Sequence, residues 1–182
     1  MAMLAKKRPR LLLWGFMGTG KSSVGRRVAA ARGVPFVDLD AMIETDVGMP
    51  LVELFASEGE AAFRKVEARI LRTWLEREGP YLVALGGGAL LDAELRREAK
   101  ERTWVVVLDA PAAVLAQRLE AEQTKRPLLS EPPDLSLEER IEARLATRRE
   151  AYDDAHDKVD ASGRLEKVVD TIIRTWRPNA GT

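Results

Sequence analysis

Residues 15–22 read GFMGTGKS, between a short apolar run, Arg10 to Trp14, and an amphipathic stretch, Gly20 to Ala31. These eight residues satisfy G-x-x-x-x-G-K-[ST], and a strand before and a helix after are the context in which that pattern means a phosphate-binding loop. The glycines let backbone N–H groups turn inward around a polyphosphate, the helix N-terminus adds partial positive charge, and Lys21 reaches the outer phosphates. Gly18, Thr19, Gly20, Lys21, Ser22 and Ser23 are therefore the candidate nucleotide-binding residues, with the Ser22 hydroxyl offered to Mg2+. The alternative is a glycine-rich turn with no ligand. The motif points to a nucleoside triphosphate and leaves open what is done with it.

Working outward from the loop, apolar runs of four to six residues alternate with longer amphipathic stretches, the pattern of strands and crossover helices in a parallel α/β sheet. Five strands are expected, at Arg10–Trp14, Pro35–Leu39, Tyr81–Leu85, Thr103–Leu108 and Lys158–Ala161. The first helix carries Val24 and Val28 on one face and stops before Gly33. A second, Glu60 to Glu78, repeats Phe63, Val66, Ile70 and Trp74 at helical spacing. Asp92 caps a short helix, Pro111 opens another at its first turn, and Ser136 with Glu139 forms a capping box for a helix running to about Asp154. A last helix carries Leu165, Val168, Val169, Ile172, Ile173 and Trp176. Before the Ser136 helix, the proline- and charge-rich EQTKRPLLSEPPDLS reads as a surface excursion and a candidate lid.

At 182 residues the chain suits one domain with its own core. Its 29 Lys+Arg balance its 29 Asp+Glu, so nothing in the global charge advertises nucleic acid or an acidic membrane, and any anion is bound locally. Cysteine is absent, which excludes disulfides, thiolate nucleophiles and cysteine metal sites and fits a reducing compartment. The basic start and LLLWGF are too short for a signal peptide, and no run approaches a membrane span. A cytoplasmic monomer with no membrane or nucleic-acid partner is expected.

Phosphate-binding loops serve switches and motors as well as kinases. A GTPase needs D-x-x-G after its second or third strand and N-K-x-D for guanine; here D-x-x-G occurs only at Asp160–Gly163, near the C-terminus, and N-K-x-D is absent. No LSGGQ-type signature occurs, and the chain is short for a motor. A compact phosphotransferase remains, and FVDLD (36–40) becomes informative. Residues i and i+2 of a strand share a side, so Asp38 and Asp40 are expected to face one cleft at the carboxyl end of the sheet. Two carboxylates so close repel one another unless a cation or hydrogen bonds compensate. Mg2+ answers that need at one, leaving the other for an acceptor hydroxyl. The alternative is that Asp40 caps a helix beginning at Ala41 and Asp38 is solvated.

Further candidates are charges and glycines out of place. Arg148 completes the inward stripe Leu137, Ile141, Leu145, Tyr152, and a guanidinium there needs an anionic partner unless it snorkels to the surface. Glu67 sits at the edge of its helix's buried face, three residues after Arg64, and can fix that arginine's fork; an ordinary surface pair is the alternative. Gly86, Gly87 and Gly88 follow the third strand, where their N–H groups can approach a ligand closely. Arg126, in RPLL, stands where a closing lid brings a cation onto phosphates, or is simply a surface arginine.

In order along nearly the whole chain, GFMGTGKS, VDLD, the F-A-x-x-G-E-x-x-F-R-x-x-E of Phe55 to Glu67, GGG, RPLL and the R-x-x-x-Y of Arg148 to Tyr152 resemble the shikimate kinase family. The resemblance implies a three-layer α/β/α P-loop fold of the nucleoside monophosphate kinase type, with a five-stranded parallel sheet, a helical substrate-binding region at about 40–75 and a lid at about 121–136. It implies that ATP phosphorylates the 3-hydroxyl of shikimate, a step toward chorismate and the aromatic amino acids. By position, Lys21 and the loop hold the phosphates, Ser22 binds Mg2+ directly and Asp38 through water, and Arg126 is the lid arginine on ATP. Asp40 holds the ring hydroxyls or takes the proton, while Arg64, Arg148 and the Gly87 N–H bind shikimate. Glu67 supports Arg64, and Phe55 and Phe63 line the pocket. Arg118 and Arg164 are adenine-side candidates. Where the family commonly has a proline between arginine and tyrosine, this chain has REAY at 149–152. His156, the lone histidine, lies in a polar stretch and leaves Asp40 with little competition as base.

Overall fold

The computed structural model of the chain describes residues 8–120 and 134–178. Strand β1 (Arg10–Trp14) runs down the middle of a five-stranded parallel sheet of order β2-β3-β1-β4-β5, with β2 at Phe36–Asp38, β3 at Tyr81–Ala84, β4 at Trp104–Asp109 and β5 at Asp157–Asp160. RLLLW is apolar without alternation because a central parallel strand is covered on both faces. Leu11 and Leu13 join a core with Val24 and Val28 of α1 (Lys21–Arg32) and Val168, Val169 and Ile172 of α7 (Leu165–Thr175). Leu12 and Trp14 face the opposite core, built from α2 (Leu39–Val47), α3 (Leu51–Glu76), α4 (Ala93–Arg102), α5 (Ala112–Leu119) and α6 (Leu137–Asp153). This is the three-layer arrangement that the resemblance implied.

Helix ends follow the local chemistry of the sequence. Gly33 takes φ 64° and its N–H meets the carbonyls of Ala29 and Ala30, closing α1. The Asp92 carboxylate accepts from Leu95 N at 2.8 Å, and the Ser136–Glu139 capping box is complete. Pro111 is the N-cap of α5 rather than a first-turn residue.

One expectation is corrected. The second strand ends at Asp38 and α2 starts at Leu39, because Leu39 and Ile43 bury one helical face in the core; Asp40 is thus in a first helical turn and not on a strand. The helix expected from Glu60 is found: Gly59 (φ 81°, ψ 173°) separates it from a helical stretch that starts at Leu51, and it runs to Glu76. That conformation is essentially reserved to glycine, so the break is written into residue 59. Among the described residues no helix is long and apolar enough to cross a membrane. Most of the segment expected as a lid lies outside the described residues, as does Arg126.

Candidate active site

At the carboxyl ends of β1, β2 and β3 lies a cavity of about 560 Å³. One wall is the phosphate loop, lined by Met17, Gly18, Gly20, Lys21, Ser22 and Ser23. Gly20 takes φ 86° at the N-cap of α1 and has no side chain with which to cap the helix, so the first-turn N–H groups stay available to an anion. Gly15 takes φ 133°, and a Cβ there would meet Leu108 O at 2.3 Å, so only glycine lets the chain leave β1 at this angle. The Lys21 ammonium folds over the loop, donating to Gly15 O at 2.9 Å and Phe16 O at 2.8 Å. Thr19 is buried and spends its hydroxyl inside the loop, on Phe16 O at 2.8 Å.

Ser22 Oγ donates to Asp38 Oδ2 at 2.5 Å, joining the start of α1 to the end of β2. A hydroxyl and a carboxylate are hard oxygen donors, and two protein oxygens are what Mg2+ takes when substrate phosphates and waters complete its shell. The residues present fit that ion.

The other wall carries further charged groups. Arg64 Nη1 donates to Glu67 Oε2 at 2.6 Å and Arg64 Nη2 to Glu60 Oε1 at 3.0 Å, so both halves of the surface-pair alternative form, but Glu67 is 1 % exposed while Glu60 is on the surface. Burial pushes the Glu67 carboxyl up to about 7 against the pull of Arg64, with Asp40 and Glu60 adding to the rise. Burial also works against the charge of Arg64, yet Glu67 and then Glu60 outweigh it and raise its pKa. Arg148 is 7 % exposed, lies over the Phe16 ring at 5.3 Å and lines the cavity, so it does not snorkel. Phe55 and Phe63, with ring centroids 4.5 Å apart, complete the wall.

The three glycines after β3 prove to be a matter of space. A Cβ at Gly86 would stand 2.7 Å from Glu67 Oε1 and 3.2 Å from Asp40 Oδ1, one at Gly87 would stand 3.0 Å from Arg148 Nη1, and one at Gly88 would stand 2.3 Å from Arg64 Nη2. Asp40, Arg64, Glu67 and Arg148 converge on this backbone from three helices. Asp38 and Asp40 both line the cavity, as expected, although strand alternation is not the reason: β2 delivers the first and α2 the second.

Of the remaining candidates, Arg118 lines the cavity, donating to Gly18 O at 3.3 Å and Ser162 O at 3.1 Å. Arg164 is the N-cap residue of α7 and does not line it. His156 is at the opposite ends of the strands, its Nδ1 accepting from Val105 N at 3.1 Å. Sequence reasoning passed over Phe16, the platform under Arg148, and the part Trp14 plays at the glycine turn; an aromatic residue immediately before the loop was the available signal.

Comparison with known proteins matches the family model described as shikimate kinase to residues 17–177. A shikimate kinase of Salinibacter ruber is 44 % identical over 169 residues, covering 90 % of this chain and 82 % of the relative. The chain belongs to the shikimate kinase family. Among solved shikimate kinases, that of Bacteroides thetaiotaomicron superposes with a TM-score of 0.82 at 31 % identity, covering 91 % of this chain and 96 % of the other. The shikimate kinase of Acinetobacter baumannii, solved in complex with shikimate, gives 0.80 at 31 % identity, covering 93 % and 95 %. A gluconokinase of Sinorhizobium meliloti shares the fold alone, at 22 % identity and a TM-score of 0.59.

Proposed function

We propose that the protein transfers the γ-phosphoryl group of ATP to the 3-hydroxyl of shikimate, giving shikimate 3-phosphate and ADP, a step toward chorismate and the aromatic amino acids. The observation that carries the reading is the convergence of Asp40, Arg64, Glu67 and Arg148 opposite a complete phosphate loop in one cavity. A small hydroxylated carboxylate suits that wall: the two guanidiniums answer its carboxylate and the aspartate its hydroxyls.

In this reading the loop N–H groups and Lys21 hold the phosphates in line with the acceptor, the main demand of a loose phosphoryl-transfer transition state. The acceptor oxygen bonds to the γ-phosphorus as the bond to the leaving ADP oxygen breaks, and the acceptor proton passes to Asp40. Because the transition state is loose, little early deprotonation is needed and a carboxylate suffices as base. Ser22 directly and Asp38 through water would hold Mg2+, which would supply charge neutralisation on the phosphates. Arg64 and Arg148 hold the shikimate carboxylate, Glu67 fixes Arg64, and Phe55 and Phe63 exclude water from the ring. Arg118 stands at the nucleotide end, whereas Arg126 is assigned to the phosphates and Arg164 to the adenine on sequence context. The reading includes a monomer that acts as a single domain.

The test is ADP release by purified protein with ATP and Mg2+ over shikimate, quinate and gluconate. Shikimate alone should stimulate release well above buffer; stimulation by another acceptor and none by shikimate would reject the reading.

A further inference from the structure

We infer that Trp14 is a positioning residue for the acceptor half of the site, acting with Tyr152 through the carbonyl of Gly87; the inference rests on the function proposed above. Trp14 is the last residue of β1, fully buried, and a buried indole N–H needs an acceptor. The neighbouring main-chain carbonyl of Leu13 already accepts from Leu85 N at 2.9 Å. The Trp14 indole instead crosses to the glycine turn, donating from Nε1 to Gly87 O at 3.1 Å. The Tyr152 hydroxyl donates to the same oxygen at 2.9 Å, and its ring meets Trp14 edge-on with centroids 4.6 Å apart. A carbonyl oxygen has two lone pairs, and both are engaged.

This arrangement has two consequences for the site. A trans peptide is planar, so fixing the Gly87 carbonyl on Trp14 and Tyr152 also fixes the Gly88 N–H on the opposite side of the same peptide, within a turn whose three glycines line the cavity. The two bonds also pin Gly87 where there is no slack, since a Cβ on it would lie 3.0 Å from Arg148 Nη1 and 3.2 Å from Gly15 O. Trp14 directly precedes Gly15, and Tyr152 lies one turn after Arg148 on α6. One carbonyl therefore sets the spacing between the start of the phosphate loop, the glycine turn and the arginine that meets the acceptor.

The experiment compares steady-state kinetics of the parent with Trp14→Phe, Tyr152→Phe and the double variant. Each single variant keeps a ring and loses one donor to Gly87 O, Tyr152→Phe losing in addition the hydroxyl's hydrogen bond with Arg148. The expected result is a rise in the shikimate KM of about three- to tenfold per lost bond, the range of a net hydrogen bond, with the ATP KM changed less than about twofold. The double variant should exceed the product of the singles, because it alone leaves the buried carbonyl without a donor. If Trp14→Phe does not fold, Tyr152→Phe decides the question on an Arg148→Ala background, where the hydroxyl has only its bond to Gly87 O left to lose. Shikimate and ATP KM values that stay within about twofold of the parent, or that rise together, would overturn the inference. A parent that releases no ADP with shikimate overturns the functional reading and this inference with it; an active parent with unmoved variants overturns the inference alone.

Discussion

Arg64 Nη1 meets Glu67 Oε2 at 2.6 Å, while the second carboxylate oxygen of Glu67, Oε1, is buried without a hydrogen-bond partner. Half of this carboxylate is well served and half is not, which is why burial can lift its pKa from 4.5 to about 7 in spite of the arginine. Between those values the unfolded chain has released a proton that the folded chain retains. Folding stability owed to this group is therefore greatest below the lower value, declines as pH rises through the window and levels off above about 7. From pH 5 to 7 the decline amounts to roughly 2 kcal/mol by linkage. Glu67→Gln resembles the protonated carboxyl and removes that slope, so denaturant unfolding should give similar stabilities near pH 5 and a gap of roughly 2 kcal/mol in the variant's favour by pH 7; parallel curves would show that Glu67 ionises normally.

Asp40→Asn tests the proton acceptor. The amide keeps the shape and the place in the first turn of α2 but cannot take a proton, so turnover should fall by about a hundredfold or more, with ATP binding by calorimetry nearly intact. A retained kcat would leave Asp40 only the holding of ring hydroxyls.

Arg148→Ala tests the acceptor clamp. A guanidinium that is 7 % exposed and meets a substrate carboxylate is worth about 1.5–3 kcal/mol, so the shikimate KM should rise by roughly ten- to a hundredfold, far more than that for ATP. An unchanged shikimate KM would leave Arg148 a packing role over Phe16.

Two glycines should fail in different ways. At Gly88 a Cβ would push on the Arg64 guanidinium, the far end of a flexible side chain, so Gly88→Ala should fold normally and show a raised shikimate KM. At Gly15 it would meet Leu108 O, a main-chain atom, in a backbone conformation that alanine rarely adopts, so Gly15→Ala should lower the thermal midpoint or prevent folding. Equal thermal midpoints for the two variants would contradict this division.

Much of the site was legible before the fold was known, but unevenly. Arg148 could be placed from the interrupted stripe on α6, because burying a guanidinium in an apolar row demands a partner. Asp38 and Asp40 were assigned to one cleft correctly, though a turn of helix rather than strand alternation puts Asp40 there. Glu67 could not be told from a surface residue by spacing, since Glu60, Arg64 and Glu67 make the same ladder whether or not one end is buried. Sequence spacing cannot show that Gly86, nineteen positions away, comes so close that a Cβ on it would stand 2.7 Å from Glu67 Oε1.

The sequence by itself determined the nucleotide half of this protein. Eight contiguous residues between a strand and a helix make a phosphate cradle from their own backbone, because helix-terminal N–H groups and glycine conformations are local properties. The five-strand α/β plan followed for the same reason, since each element's periodicity is written within its own span. Only the tertiary structure decided the acceptor half, whose charges come from α2, α3 and α6 and meet on three glycines that have no side chains to exclude them. It also decided that the Gly87 carbonyl would take both the Trp14 indole and the Tyr152 hydroxyl, for a hydrogen bond between residues this far apart depends on where packing brings them.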